Sequence, residues 1–206
     1  MKEVDKDRIN DFWDWFENNL HIIEDVILGR QTEKRNEIID GFDDHILGFG
    51  KLKWILDEPQ TDQFQLVISP NGDTDLWKIT RSIISQAPDL GHWTFNDALP
   101  ANGQLKIEIY NDYMNVQSID ANNWELFVSP EMNDQLRVYL SDILLSEYLD
   151  IETFQIGAKI ILTNLIGEGA MIDRISGVEI IAPSTKEELH TKIPIQDLNK
   201  HLKSTI

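Results

Sequence analysis

The chain predicts an α+β fold: an N-terminal helical hairpin, then a mostly antiparallel, mixed sheet with one βαβ crossover and helices packed on the sheet. Three observations carry this reading. Apolar residues recur at steps of three and four over residues 5–47, and the period changes to two from Leu52 onward. Residues 64–100 then run strand, glycine turn, amphipathic helix, Ala-Pro stop and second strand.

Ile9, Phe12, Trp13, Phe16, Leu20, Ile23 and Ile27 fall on one face of a helix over residues 5–28, with Asp5 as N-cap and Gly29 as its stop. A second helix over 32–47 buries Ile38, Phe42 and Ile46, and the short link 29–31 folds the two into a hairpin. Leu52, Trp54 and Leu56 alternate with Lys53 and Ile55. Phe64, Leu66 and Ile68 alternate beyond a turn at 58–62, so these two runs form an antiparallel strand hairpin. The crossover helix spans 73–87 and turns Leu76, Trp77, Ile79, Ile83 and Ile84 inward, before Pro88 stops it. Strands follow at 93–98, 105–110, 115–120 and 124–129, separated by turn residues at 100–103, 111–112 and 121–123.

Residues 133–149 place Leu136, Leu140, Ile143 and Leu144 on one side of a helix capped by Asn133 or Asp134. A strand is expected over 154–163 and another over 178–182, while 164–177 fits either helix or loop. Ser184, Thr185, Lys186 and Glu187 have the form of a capping box opening a short helix, and Pro194 begins a last one. Neither a repeat nor a Gly/Ser linker interrupts the chain, so residues 1–206 are expected to form a single α+β domain.

The run Leu66-Val67-Ile68-Ser69 with Gly72, then a helix, Ala87-Pro88, Trp93 and Pro100, resembles the central pattern of a bacterial family. Leu145-Ser146-Glu147-Tyr148 is similar to that family's Leu-Gly-Glu-Tyr helix end, with serine in place of glycine. The resemblance covers roughly residues 10–165 and rests on structural motifs. The family has no established activity, so the resemblance transfers no catalytic residue.

Composition narrows the function classes. With 206 residues and 41% hydrophobic content the chain can bury a proper core. There are no cysteines, which removes disulfides, thiolate metal sites and cysteine nucleophiles. No apolar run approaches the ~18–20 residues of a membrane helix, and the acid-rich start has no apolar leader core, so a cytoplasmic protein is expected. Charge is lopsided: 36 acids against 18 bases give −18, and the deficit is −7 over residues 1–50 and again over 101–150. Without clustered Lys and Arg, nucleic acid and anionic membranes are disfavoured, and the acid excess serves either plain solubility or a basic protein partner.

Tests for chemistry remove most candidates. The turn at Gly72 leads into a helix, but Asp73 and Asp75 already occupy the positive helix end where a phosphate would sit. As a calcium loop, Asn71, Asp73 and Asp75 start acceptably, yet Leu76 and Ser82 stand where glycine and glutamate are required. Asp43, Asp44 and His45 are consecutive and diverge on a helix, and His21 with Glu24 and Asp25 has no second ligand pair on another helix. No motif calls for a metal or a cofactor.

Trp15, which falls off the main face of its helix, and His92-Trp93, beside a glycine bend, are the candidate binding residues, with packing between elements as the competing and favoured role. Glu147-Tyr148 is a candidate polar pair at a helix end. The function expected is a non-enzymatic acidic protein that binds a basic partner, as bacterial immunity proteins of similar size and charge do. The alternative is a small-molecule hydrolase or isomerase that uses carboxylates such as Asp97, Glu108 and Glu147 as acid and base.

Overall fold

The computed structural model describes residues 5–60, 63–110, 115–140, 151–181 and 191–204. Among the described residues, six α-helices and nine strands in mixed sheets make the fold α+β, with the helical hairpin at its N-terminal end. Although the sequence has no evident linker, the chain gathers into two compact units, Met1–Leu99 and Pro100–Ile206.

The first unit comprises α1 (Lys6–Ile27), α2 (Arg35–Ile46), β1 (Lys53–Gln60), β2 (Gln63–Ser69), α3 (Thr74–Ile84) and β3 (Trp93–Asn96). Asp5 caps α1 by accepting from the backbone N–H groups of Asp7 and Arg8, and Asp73 caps α3 in the same way through Asp75 and Leu76. β1 runs antiparallel to β2, with Trp54 opposite Ile68 and Leu56 opposite Leu66. β3 runs parallel to β2, with Trp93 opposite Phe64 and Phe95 opposite Leu66. Because strand side chains alternate, these residues all share one face of the sheet. Against that face pack Phe12, Trp13 and Phe16 of α1, Phe42 and Ile46 of α2, and Ile83 of α3. Trp13 Nε1 donates to the Ile83 carbonyl at 2.9 Å, which ties α1 to α3 inside this core.

The second unit comprises β4 (Lys106–Tyr110), β5 (Val116–Asp120), β6 (Glu125–Pro130), β7 (Leu136–Leu140), α4 (Ile151–Ile166), α5 (Glu168–Arg174), β8 (Ile175–Ile180), β9 (Thr191–Pro194) and α6 (Leu198–Ser204). β4 and β5 pair as an antiparallel ribbon, and the remaining strands form a sheet in the order β8-β7-β6-β9.

Three expectations are corrected in this unit. Residues 136–140 form a strand, not part of a helix: Leu136, Val138 and Leu140 are buried while Arg137 and Tyr139 alternate with them. Leu136 and Leu140 lie four apart and so satisfy either period, and pairing with β6 and β8 decides for the sheet. Residues 154–163 belong to a helix rather than a strand: Phe154, Gly157, Ala158, Ile161 and Leu162 are buried at helical spacing. Exposed Ile156 and Ile160 hid that period by making the run look evenly apolar. The last helix starts at Leu198, because Pro194 closes β9 and a 3₁₀ turn intervenes. The expected helix end at Glu147-Tyr148 and the capping box at 184–187 lie outside the described residues.

The two units share a topology. In each, one strand pairs antiparallel with the next, which pairs parallel with a third after a helical crossover: β1-β2-α3-β3, and β6-β7-α4-α5-β8. The second parallel pair, β7 with β8, adds to the crossover anticipated at β2 and β3. One difference stands out. The outer edge of β6 is occupied by antiparallel β9, whereas β1 has a ladder partner on one side only among the described residues.

Candidate functional site

An open groove of about 670 Å³ lies in the first unit, where α1 ends, α2 begins and β1 runs alongside. Its position follows from local chemistry. Gly29, at φ 70°, ends α1 in the left-handed region that favours glycine. Asp25 then holds the link: its carbonyl accepts from the N–H groups of Arg30 and Gln31, and its carboxylate accepts from Gln31 Nε2 at 2.7 Å. The turn sets Val26 and Ile27 of α1 beside Ile38 and Ile39 of α2 as an apolar wall, with Arg35 next to them.

The other wall is β1, from Trp54 through Glu58. Trp54 is held firmly: its ring stacks on Phe42 at 4.6 Å and its Nε1 donates to Asp43 Oδ1 at 2.8 Å. Five consecutive residues of one strand line this wall. Side chains of 54, 56 and 58 point to one face of the sheet and those of 55 and 57 to the other. A cavity over one face meets mainly alternate side chains, so lining by five consecutive residues fits a groove that runs along the strand's edge beside the helices.

The electrostatics around it are acidic. Residues 1–99 carry 20 acids and 10 bases. Asp57 and Glu58 stand at the groove, and Asp57 Oδ1 accepts from the Glu58 backbone N–H. Arg35 is exposed and has no carboxylate within 4 Å among the described residues. On the outer faces of the helices, Asp11, Asp14, Glu17, Asp40 and Asp44 are exposed and form no ion pair among the described residues. Among the described residues, the groups with displaced proton affinities are surface pairs elsewhere. Hydrogen bonding to Lys78 lowers the Asp75 carboxyl, and Asn122, through its backbone N–H first, lowers that of Asp120. Glu37 raises the Lys34 ammonium, and Glu179 followed by Glu131 raises the Arg137 guanidinium.

The residues singled out from sequence fall as follows. Trp15 is half-buried between α1 and α2, stacked on the His45 ring at 4.9 Å and edge-on to Phe42 at 5.0 Å. Trp93 is buried between Phe64 and Phe95, while His92 is exposed. Both reach Glu24: its Oε1 lies 2.7 Å from His92 Nε2 and accepts from Trp93 Nε1 at 2.9 Å. None of the three lines the groove. Glu147 and Tyr148 lie outside the described residues. Asp97 is half-buried after β3, 3.9 Å from Arg81, and belongs to the first unit; Glu108 is exposed on β4 of the second.

Among the potential metal ligands, Asp43 accepts from Trp54, His45 Nδ1 bonds the Gly41 carbonyl oxygen, and His21 stands 3.9 Å from Asp25 on the surface. No group of three or more His, Asp or Glu among the described residues is arranged to hold a metal ion. No helix among the described residues is long and apolar enough to cross a membrane.

Sequence reasoning missed Arg35, Ile55, Asp57 and Glu58 as groove residues. The one signal available was Ile55, an apolar residue on the outward side of an amphipathic strand, which is 42% exposed. Comparison with known protein families, curated proteins and solved structures gives no match, so the site is described by its own geometry.

Proposed function

We propose that the chain is a non-enzymatic binding protein that holds a basic protein partner through its first unit. The observation that carries this reading is the groove itself, with an apolar wall at Val26, Ile27, Ile38 and Ile39 and the carboxylates Asp57 and Glu58 at its strand side. Apolar contact supplies affinity there, and charge selects the sign of the partner. The exposed acids on the outer faces of α1 and α2 extend the same negative field and speed encounter with a cation-rich surface.

Selection of phage-displayed random dodecapeptides on the full chain at low salt tests the reading. Enriched peptides should carry Lys or Arg together with apolar residues. Synthetic versions should lose affinity as salt shortens the Debye length from ~10 Å at 0.1 M toward ~3 Å at 1 M. Asp57→Asn with Glu58→Gln should weaken them by several-fold. Peptides without basic residues, or affinities indifferent to salt and to both substitutions, would sink the proposal.

A further inference from the structure

We propose that the groove takes its partner by strand addition. An extended, antiparallel segment pairs with the outer edge of β1, laying alternate apolar side chains on the wall of Val26, Ile27, Ile38 and Ile39 and a Lys or Arg beside Asp57. This deepens the binding reading above and rests on it.

Three observations converge. The groove is lined by consecutive residues of β1, which fits a course along the strand's edge beside the helices. That edge has no ladder partner among the described residues, so alternate residues of β1 turn main-chain N–H and C=O groups outward, the template on which an extended peptide adds.

The second unit supplies the third observation, because it contains the completed form of the same arrangement. There β6 holds the place that β1 holds in the first unit, and β9 fills its outer edge antiparallel, with Ile193 opposite Leu126 and Lys192 opposite Phe127. Ile193 is buried, and Lys192 pairs with the Glu125 carboxylate. The strand accepted there sets one apolar residue, Ile193, on the inward face and the neighbouring Lys192 on the outward face. β1 offers matching chemistry, with Ile55 between Lys53 and Asp57 along its edge.

The register of β1 shifts between Asp57 and Gln60, which confines regular pairing to residues 53–57, about 17 Å of strand at ~3.4 Å per residue. A short linear segment fits that length. Charge argues against a second copy of the chain as the occupant, since each copy brings −18 of its own.

Peptides recovered from the dodecapeptide selection give the probe. Each backbone nitrogen in turn is N-methylated, and binding to the full chain is measured. Strand addition predicts losses of about ten-fold at every second position and little change between them. It also predicts slowed amide exchange at alternate residues of 53–57 in the bound chain. Tolerance of N-methylation at all positions with salt sensitivity retained would overturn strand addition and leave the basic-partner reading standing. A period-two pattern with no salt dependence would keep the strand pairing but overturn the Lys or Arg beside Asp57 and, with it, the basic-partner reading. Sedimentation of the chain as a dimer that Ile55→Lys dissociates would overturn the foreign segment as occupant, and an empty selection would sink both proposals.

Discussion

Glu24 shows how single atoms hold this fold together. One carboxylate oxygen on α1 serves both His92 and Trp93, and so pins the start of β3 to a helix 68 positions earlier. Trp93 is buried, so its indole N–H needs that acceptor. Glu24→Gln keeps an acceptor oxygen, whereas Glu24→Leu leaves the N–H stranded. The leucine variant should lose about 1–3 kcal/mol in urea unfolding and the glutamine variant clearly less. Equal losses would mean that the bond contributes nothing beyond packing. Neighbouring His92 and Trp93 have opposite fates, one exposed and one buried, and their sequence gives no hint of it. The deciding partner sits on another element.

Elements were legible where their period was unambiguous. α1 and α2 carry long apolar stripes with caps, so sequence located their buried faces: Ile9, Phe12, Trp13, Phe16 and Ile23, then Ile38, Phe42 and Ile46. The hairpin of β1 and β2 and the crossover through α3 were legible for the same reason, since alternation gives way to helical spacing at a glycine turn. Residues 136–140 and 154–163 were not, because short apolar runs suit either structure: pairing with β6 and β8 makes the first a strand, and packing on the second unit's core makes the second a helix. The groove was illegible as well. It arises from the angle between the α1–α2 turn and β1, which no local pattern encodes.

The contact between α1 and α2 makes a sharp prediction at this scale. A Cβ on Gly41 would run into the indole of Trp15, with Cε2 at 2.8 Å and Cζ2 closer still. Gly41→Ala gains about 1 kcal/mol of helix propensity but faces roughly 1–3 kcal/mol of overpacking against a rigid ring. It should therefore destabilise the natural chain. In a Trp15→Ala background the same change should become stabilising, because the obstacle has gone. A double-mutant cycle by chemical denaturation measures the reversal, and additive effects would refute the clash.

For the whole molecule, charge sets the terms. Residues 1–99 hold 20 acids and 10 bases, and residues 100–206 hold 16 and 8, so each unit carries a two-fold excess of acid. Like charges so distributed push against the compact state. Added NaCl should accordingly raise the melting temperature at pH 7, as screening shortens toward ~3 Å at 1 M. Near the isoelectric point of about 4.5 the same salt should do little. The lowered carboxyls of Asp75 and Asp120 act in the opposite sense to repulsion. Their stabilisation is present above the unfolded-state value and is lost as pH falls through the lower folded-state value, so they still contribute at that pH. A melting temperature unmoved by salt at pH 7 would show that repulsion is not limiting.

The placement of one ring has a practical consequence. Of the six tryptophans, five belong to the first unit, and among all six only Trp54 lines the groove. Its indole is stacked on Phe42 and bonded to Asp43, so it is poised rather than mobile before anything arrives. A segment settling along β1 would strip water from that ring and shift its emission. On the proposed docking, Trp54 would report the occupancy of the groove optically, without a label.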